Sequence, residues 1–63
     1  MAFSELISKK RKELGMTQEQ AAKFLHVNRQ AVSNWERGKN YPDLDVLIEL
    51  SQVYDLSLDS LII

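Results

Sequence analysis

Apolar residues recur along this chain at three- and four-residue intervals, and no stretch keeps the two-residue alternation of a strand. Phe3, Leu6, Ile7, Lys10 and Leu14 follow helical spacing, which predicts a first helix over about Ser4 to Leu14. Gly15 then supplies the left-handed residue that commonly ends a helix. Thr17 can cap a second helix, and Gln20 completes a capping box in which side chain and backbone bond reciprocally. Ala21, Ala22 and Leu25 form the buried side of that helix, with Phe24 at its edge. Asn28 caps a third helix, and Val27 with Val32 fits a hydrophobic staple. Ala31, Val32 and Trp35 share one face of this helix, and Gly38 ends it. Lys39-Asn40-Tyr41-Pro42 must be a loop, because proline cannot continue a helix and biases its predecessor to extended geometry. Asp43 caps a fourth helix with the stripe Leu44, Leu47, Ile48 and Leu50, reaching Tyr54. Ser57 caps a short fifth, with Leu56 and Leu61 placed for another staple. The pattern predicts an all-α fold: one compact five-helix domain over residues 1–63, with a helix-turn-helix formed by helices 2 and 3.

Composition narrows the possibilities. A chain of 63 residues buries only about 60% of the surface its unfolded form exposes. It has no cysteine, so neither a disulfide nor a thiolate metal site can make up the deficit. Helix packing must supply the stability, alone or together with self-association. No apolar run approaches the roughly 20 residues that cross a bilayer, and the N-terminus lacks the charged-then-apolar pattern of a signal peptide. The expected location is the cytoplasm, with no membrane partner. The net charge of −1 conceals an asymmetry. Residues 1–40 carry all eight Lys and Arg against four Glu, a net +4, while residues 41–63 carry five acids and no base, a net −5. One basic and one acidic surface fit a nucleic-acid partner, and they equally fit two solvated faces.

The segment from Gln18 to Arg37 tips that balance. Two helices joined by a three- or four-residue turn can cross steeply only where small residues meet, and Ala22 and Ala31 are small. The second of them begins Asn28-Arg29-Gln30 and continues on its polar side with Ser33, Asn34 and Arg37. Arg can bridge two acceptors of guanine, and Gln or Asn can match the acceptor and donor of adenine in the major groove. A merely solvated helix would more often carry Glu and Lys, yet here Glu36 is the one acid.

Leu14-Gly15-Met16-Thr17-Gln18, Ala21-Ala22, Val32-Ser33-Asn34-Trp35-Glu36-Arg37-Gly38, Pro42 and the Leu44, Leu47, Leu50 series together resemble the lambda-repressor-like helix-turn-helix family. That family includes phage repressor and Cro proteins and many small bacterial regulators. The resemblance implies a sequence-specific, double-stranded DNA-binding transcriptional regulator, of repressor type, that binds a palindromic operator as a homodimer. It implies that Asn28, Arg29, Gln30 and Asn34 face the bases. Thr17, Gln18, Ser33, Arg37, Lys39 and Asn40 would contact phosphates. Glu36 matches a family carboxylate that pairs with a basic residue of the first helix, here Arg11. His26 departs from the family's usual turn glycine, and as the sole histidine it reads as a turn residue rather than a metal ligand or pH sensor.

Other features admit two readings. Trp35 fits the core better than base stacking. Lys9-Lys10-Arg11-Lys12 resembles a nuclear localisation run, but within a helix its members diverge into a solvated or phosphate-facing surface. Tyr41 could contact a phosphate or cover the core. Leu58, Leu61, Ile62 and Ile63 are too apolar for a free tail, so they either close the core or form a dimer interface. Nothing pairs a nucleophile with a base, clusters metal ligands, cradles a phosphate or offers a small-molecule effector site. The expectation is therefore no catalysis, no cofactor and no metal. An aromatic platform for RNA is likewise not legible. The rival reading is an antitoxin-like protein-interaction module in which DNA binding is secondary.

Overall fold

The computed structural model describes residues 2–61. Helix α1 spans Phe3–Glu13, α2 Gln18–Leu25, α3 Arg29–Glu36, α4 Leu44–Val53 and α5 Leu58–Leu61. The starts of three helices follow directly from short polar side chains. Thr17 Oγ1 accepts the N–H of Gln20 at 3.1 Å, while Gln20 Oε1 accepts the N–H of Thr17 at 2.9 Å. Asn28 Oδ1 accepts the N–H of Ala31 at 2.8 Å, and Asp43 Oδ1 that of Val46 at 3.1 Å.

The helix ends share one device. Gly15, His26, Gly38 and Asp55 all have positive φ. After each, the next N–H reaches back five residues: Met16 to Arg11 O, Val27 to Ala22 O, Lys39 to Asn34 O and Leu56 to Ser51 O, at 2.9–3.1 Å. These bonds satisfy carbonyls that a helix end would otherwise leave unpaired. His26, at φ 59 and ψ 40, thus fills the expected turn role without glycine. The left-handed turn at Asp55 was not expected; aspartate tolerates this region better than most residues, which is the one sequence signal for it.

The core takes Phe3 and Ile7 from α1, Ala21, Ala22 and Leu25 from α2, Val32 and Trp35 from α3, Leu50 and Tyr54 from α4 and its cap, and Leu61 from α5. Ala21 and Ala22 are 0% and 2% exposed, so the methyl groups let α2 approach its neighbours closely.

Two expectations need adjustment, and two open readings are narrowed. Helix α1 begins and ends one residue earlier than its apolar spacing suggested, because buried Phe3 belongs to the first turn and Glu5 Oε1 accepts the N–H of Ala2. On α4 the stripe is rotated: Leu44 and Ile48 are exposed, while Val46, Leu47 and Val53 pack beside Leu50 and Tyr54. At 3.6 residues per turn, Leu44 and Ile48 lie on a flank of the face centred on Leu47, Leu50 and Tyr54. Leu61 is buried within the domain, so it closes the core and offers no surface to a second copy. Leu58 is half-buried, and Ile62 and Ile63 lie outside the described residues. The Tyr41 ring packs tilted against that of Phe3, with centroids 5.0 Å apart, and remains largely exposed at the edge of the core.

Candidate nucleic-acid interface

The inner end of α3 is anchored by a charge pair. Arg11 Nε donates to Glu36 Oε2 at 2.7 Å and Nη2 donates to Oε1 at 2.9 Å, the parallel fork that makes such pairs strong and directional. Arg11 Nη1 donates to the carbonyl of Met16 at 2.8 Å, and Gln18 Nε2 donates to Glu36 Oε1 at 3.1 Å. These bonds join α1, the loop after it, the start of α2 and the end of α3 at one point. Burial alone would push the Glu36 carboxyl up, but the bonds from Arg11 and Gln18 outweigh it and hold the group below its ordinary value. The bond to Glu36 raises the Arg11 guanidinium in turn. Tyr54 packs close enough to sense the pair: burial, with the charge of Glu36 added, pushes its phenol up to about 12. The pairing expected between Arg11 and Glu36 is therefore present in the structure.

The same contacts arrange the outer surface. Because Gln18 reaches Glu36, the start of α2 lies beside the end of α3, next to Arg37 and Lys39. Thr17 uses its oxygen to accept from Gln20, which leaves its hydroxyl hydrogen free to donate. Gln18 likewise keeps one amide N–H beyond the one given to Glu36. Arg37, Lys39 and Asn40 are exposed, and the N–H of Lys39 is tied to the carbonyl of Asn34 at 2.9 Å, which sets the start of the loop. Ser33 is half-buried. This cluster offers donors and positive charge to an anion, and its acid, Glu36, is neutralised from within.

Along α3, Asn28, Arg29 and Gln30 are exposed and Asn34 is half-buried. Gln30 Nε2 donates to Asn34 Oδ1 at 3.1 Å, and Arg37 Nη2 donates to the same oxygen at 2.9 Å. Three side chains one turn apart are thus linked into a strip along the helix. Trp35, at 6% exposure, faces the core and takes no part. The basic run on α1 is not a continuous surface either: Arg11 is buried, Lys10 half-buried, and Lys9 and Lys12 exposed.

A sequence profile of the helix-turn-helix family matches residues 7–61. The chain belongs to this family. Within it the fold is of the lambda-repressor type: the structure superposes on the P22 c2 repressor, solved in complex with synthetic operator 9T, with a TM-score of 0.93. The two are 33% identical over 97% of this chain and 92% of that one. The HTH-type transcriptional activator BcrR of Enterococcus faecalis is 39% identical over 62 residues, 98% of this chain and 30% of the relative. The HTH-type transcriptional regulator ImmR of Bacillus subtilis (strain 168) is 36% identical over 98% of this chain and 49% of its own length. This chain therefore spans half or less of the length of these two curated relatives.

One surface feature escaped sequence reasoning. Leu14, Met16, Phe24 and Val53 line an open apolar groove of about 440 Å³ where the ends of α1, α2 and α4 meet. Its residues come from distant positions, and only Phe24 stood out as an edge residue. Among the described residues no group of His, Asp and Glu could hold a metal ion, and no helix is long and apolar enough to cross a membrane.

Proposed function

We propose that this helix-turn-helix chain is a sequence-specific, double-stranded DNA-binding transcriptional regulator whose α3 enters the major groove. The observation that carries the reading is the strip Gln30, Asn34 and Arg37, with exposed Arg29 on the same helix, flanked by Thr17, Gln18, Lys39 and Asn40. Base-edge donors and acceptors sit on one helix, and phosphate-binding groups sit at its end, the division by which such domains separate reading from positioning. The operator-bound state of the P22 c2 repressor, with its matching backbone, supports the same placement. The work done is binding rather than catalysis.

Size supports a dimer on a palindromic operator. One recognition helix reads only a few base pairs, and half-sites one turn apart are about 34 Å from centre to centre. The domain measures 25 × 22 × 21 Å, so two copies fit side by side at that spacing. Repression by occluding a promoter is the direction we assign, following the P22 c2 repressor; BcrR carries a similar domain under the name of an activator, and a promoter-reporter assay decides between them. Selection from a randomised duplex pool tests the whole reading. The expected result is an inverted repeat with half-sites one turn apart. Salt-sensitive binding without any enriched sequence overturns it in favour of an interaction module.

A further inference from the structure

A carboxamide reads adenine by accepting from N6–H and donating to N7, so it needs a free oxygen as well as a free N–H. Three carboxamides lie along α3, and the hydrogen bonds divide them sharply. The oxygen of Asn28 accepts the N–H of Ala31 at 2.8 Å, which turns it to the helix cap and leaves it one lone pair. The oxygen of Asn34 receives two donors, Gln30 Nε2 at 3.1 Å and Arg37 Nη2 at 2.9 Å, and a carbonyl oxygen has two lone pairs. Gln30 takes part only as a donor there: its Oε1 accepts no bond among the described residues, and its nitrogen keeps a second N–H.

We propose that Gln30 is the adenine-reading residue of this helix and that Asn34 is a positioning residue. Asn34 holds the Gln30 amide in its reading orientation and couples it to Arg37. The inference rests on the DNA-binding reading above and deepens it by assigning base classes. Asn34, its oxygen spent on Gln30 and Arg37, presents N–H groups alone, while Asn28, its oxygen turned to the helix cap, offers mainly its N–H groups to guanine O6 and N7, thymine O4 or a phosphate. Arg29 presents donors to guanine in the same way. A half-site read by this chain therefore has one base pair at which adenine is demanded by a carboxamide, flanked by positions that favour acceptor edges. Pinning matters because an exposed glutamine samples several rotamers, and a side chain already held in place loses less freedom on binding.

The test uses the full chain and a duplex drawn from the selected pool. Each base pair of a half-site is varied in turn, and adenine is replaced by 7-deazaadenine at the pair that Gln30→Ala affects. The native chain is expected to prefer adenine there by roughly ten- to a hundredfold, and to lose most of that preference with 7-deazaadenine. Gln30→Ala should bind both duplexes equally. Asn34→Asp keeps an acceptor for Gln30 and Arg37, so it should retain the adenine preference while lowering affinity for every duplex through its added charge. Asn34→Ala should lower the preference severalfold at that same pair, with an unchanged thermal melt. If Asn34→Asp loses the preference as fully as Asn34→Ala, Asn34 reads a base itself and the assignment falls. It falls equally if Asn34→Ala keeps the preference, or if an adenine pair responds to Asn28 and not to Gln30. The 7-deazaadenine comparison needs only the native chain and Gln30→Ala, so it stands even if an Asn34 variant unfolds. A native chain that selects no sequence overturns the DNA-binding reading itself, which separates that failure from this one.

Discussion

On its inner side α3 carries Val32 and Trp35, buried in the core, and half-buried Glu36, closed off by the Arg11 fork. On its outer side, within the same eight residues, Arg29, Gln30 and Asn34 face the solvent in whole or in part, and the cap residue Arg37 bonds to Asn34. Both sides are rich in hydrogen bonds, but the bonds differ in kind. Those of the inner side sit where water cannot replace them, so removing one partner strands the other. Those of the outer side are exposed to water, so losing one strands no buried partner and alters the orientation of a side chain more than the stability of the fold. Rigidity behind the helix and oriented polar groups in front of it together present one surface in one orientation.

Removing one side of the buried pair gives the largest contrast. Glu36→Ala should cost about 3–5 kcal/mol in urea unfolding, because the Arg11 charge would remain buried and unpaired. The pair also sets the response to acid. The folded carboxyl sits below its ordinary value of 4.5, so its contribution is complete above that value and is lost as pH falls through the lower folded value. Stability measured from pH 6 downward should decline less steeply in Glu36→Gln than in the native chain. If the two curves are parallel, the pair does not govern the acid limb.

On the outer side, Gln30→Ala should leave unfolding unchanged yet cost about 1–3 kcal/mol of discrimination at one base pair. A matching loss of stability would mean that the two faces are not independent. Lys39→Ala should weaken binding to every duplex alike and reduce the slope of log affinity against log salt by about one. A sequence-dependent effect would move Lys39 from the phosphates to the bases. The smallest effect concerns the turn between the helices. His26 holds φ 59, which costs an L-residue about 1–2 kcal/mol, whereas glycine avoids that strain but adds freedom to the unfolded chain. His26→Gly should therefore raise stability by no more than about 1 kcal/mol in thermal or urea unfolding, and a loss would show that the imidazole makes a contact of its own.

The helices themselves were legible because their signals are local. Thr17, Asn28 and Asp43 act on backbone groups three residues away, and Gly15 and Gly38 on turns they occupy themselves, so a short window of chain contains both partners. Trp35 was placed in the core by spacing alone, for the same reason. The Arg11–Glu36 pair, 25 residues apart, was reachable only through family resemblance, and the third partner Gln18 was seen as a phosphate contact without its bond to Glu36. Tertiary structure decided the questions that depend on several elements at once. It set which flank of α4 faces inward, leaving Leu44 and Ile48 outside, and it committed Leu61 to the core. Family resemblance likewise named Asn28, Gln30 and Asn34 as base-facing, whereas the folded backbone and Arg37 decide how far each oxygen is already engaged. A residue's identity determines which bonds it can make; the surrounding fold determines which of them remain to be made.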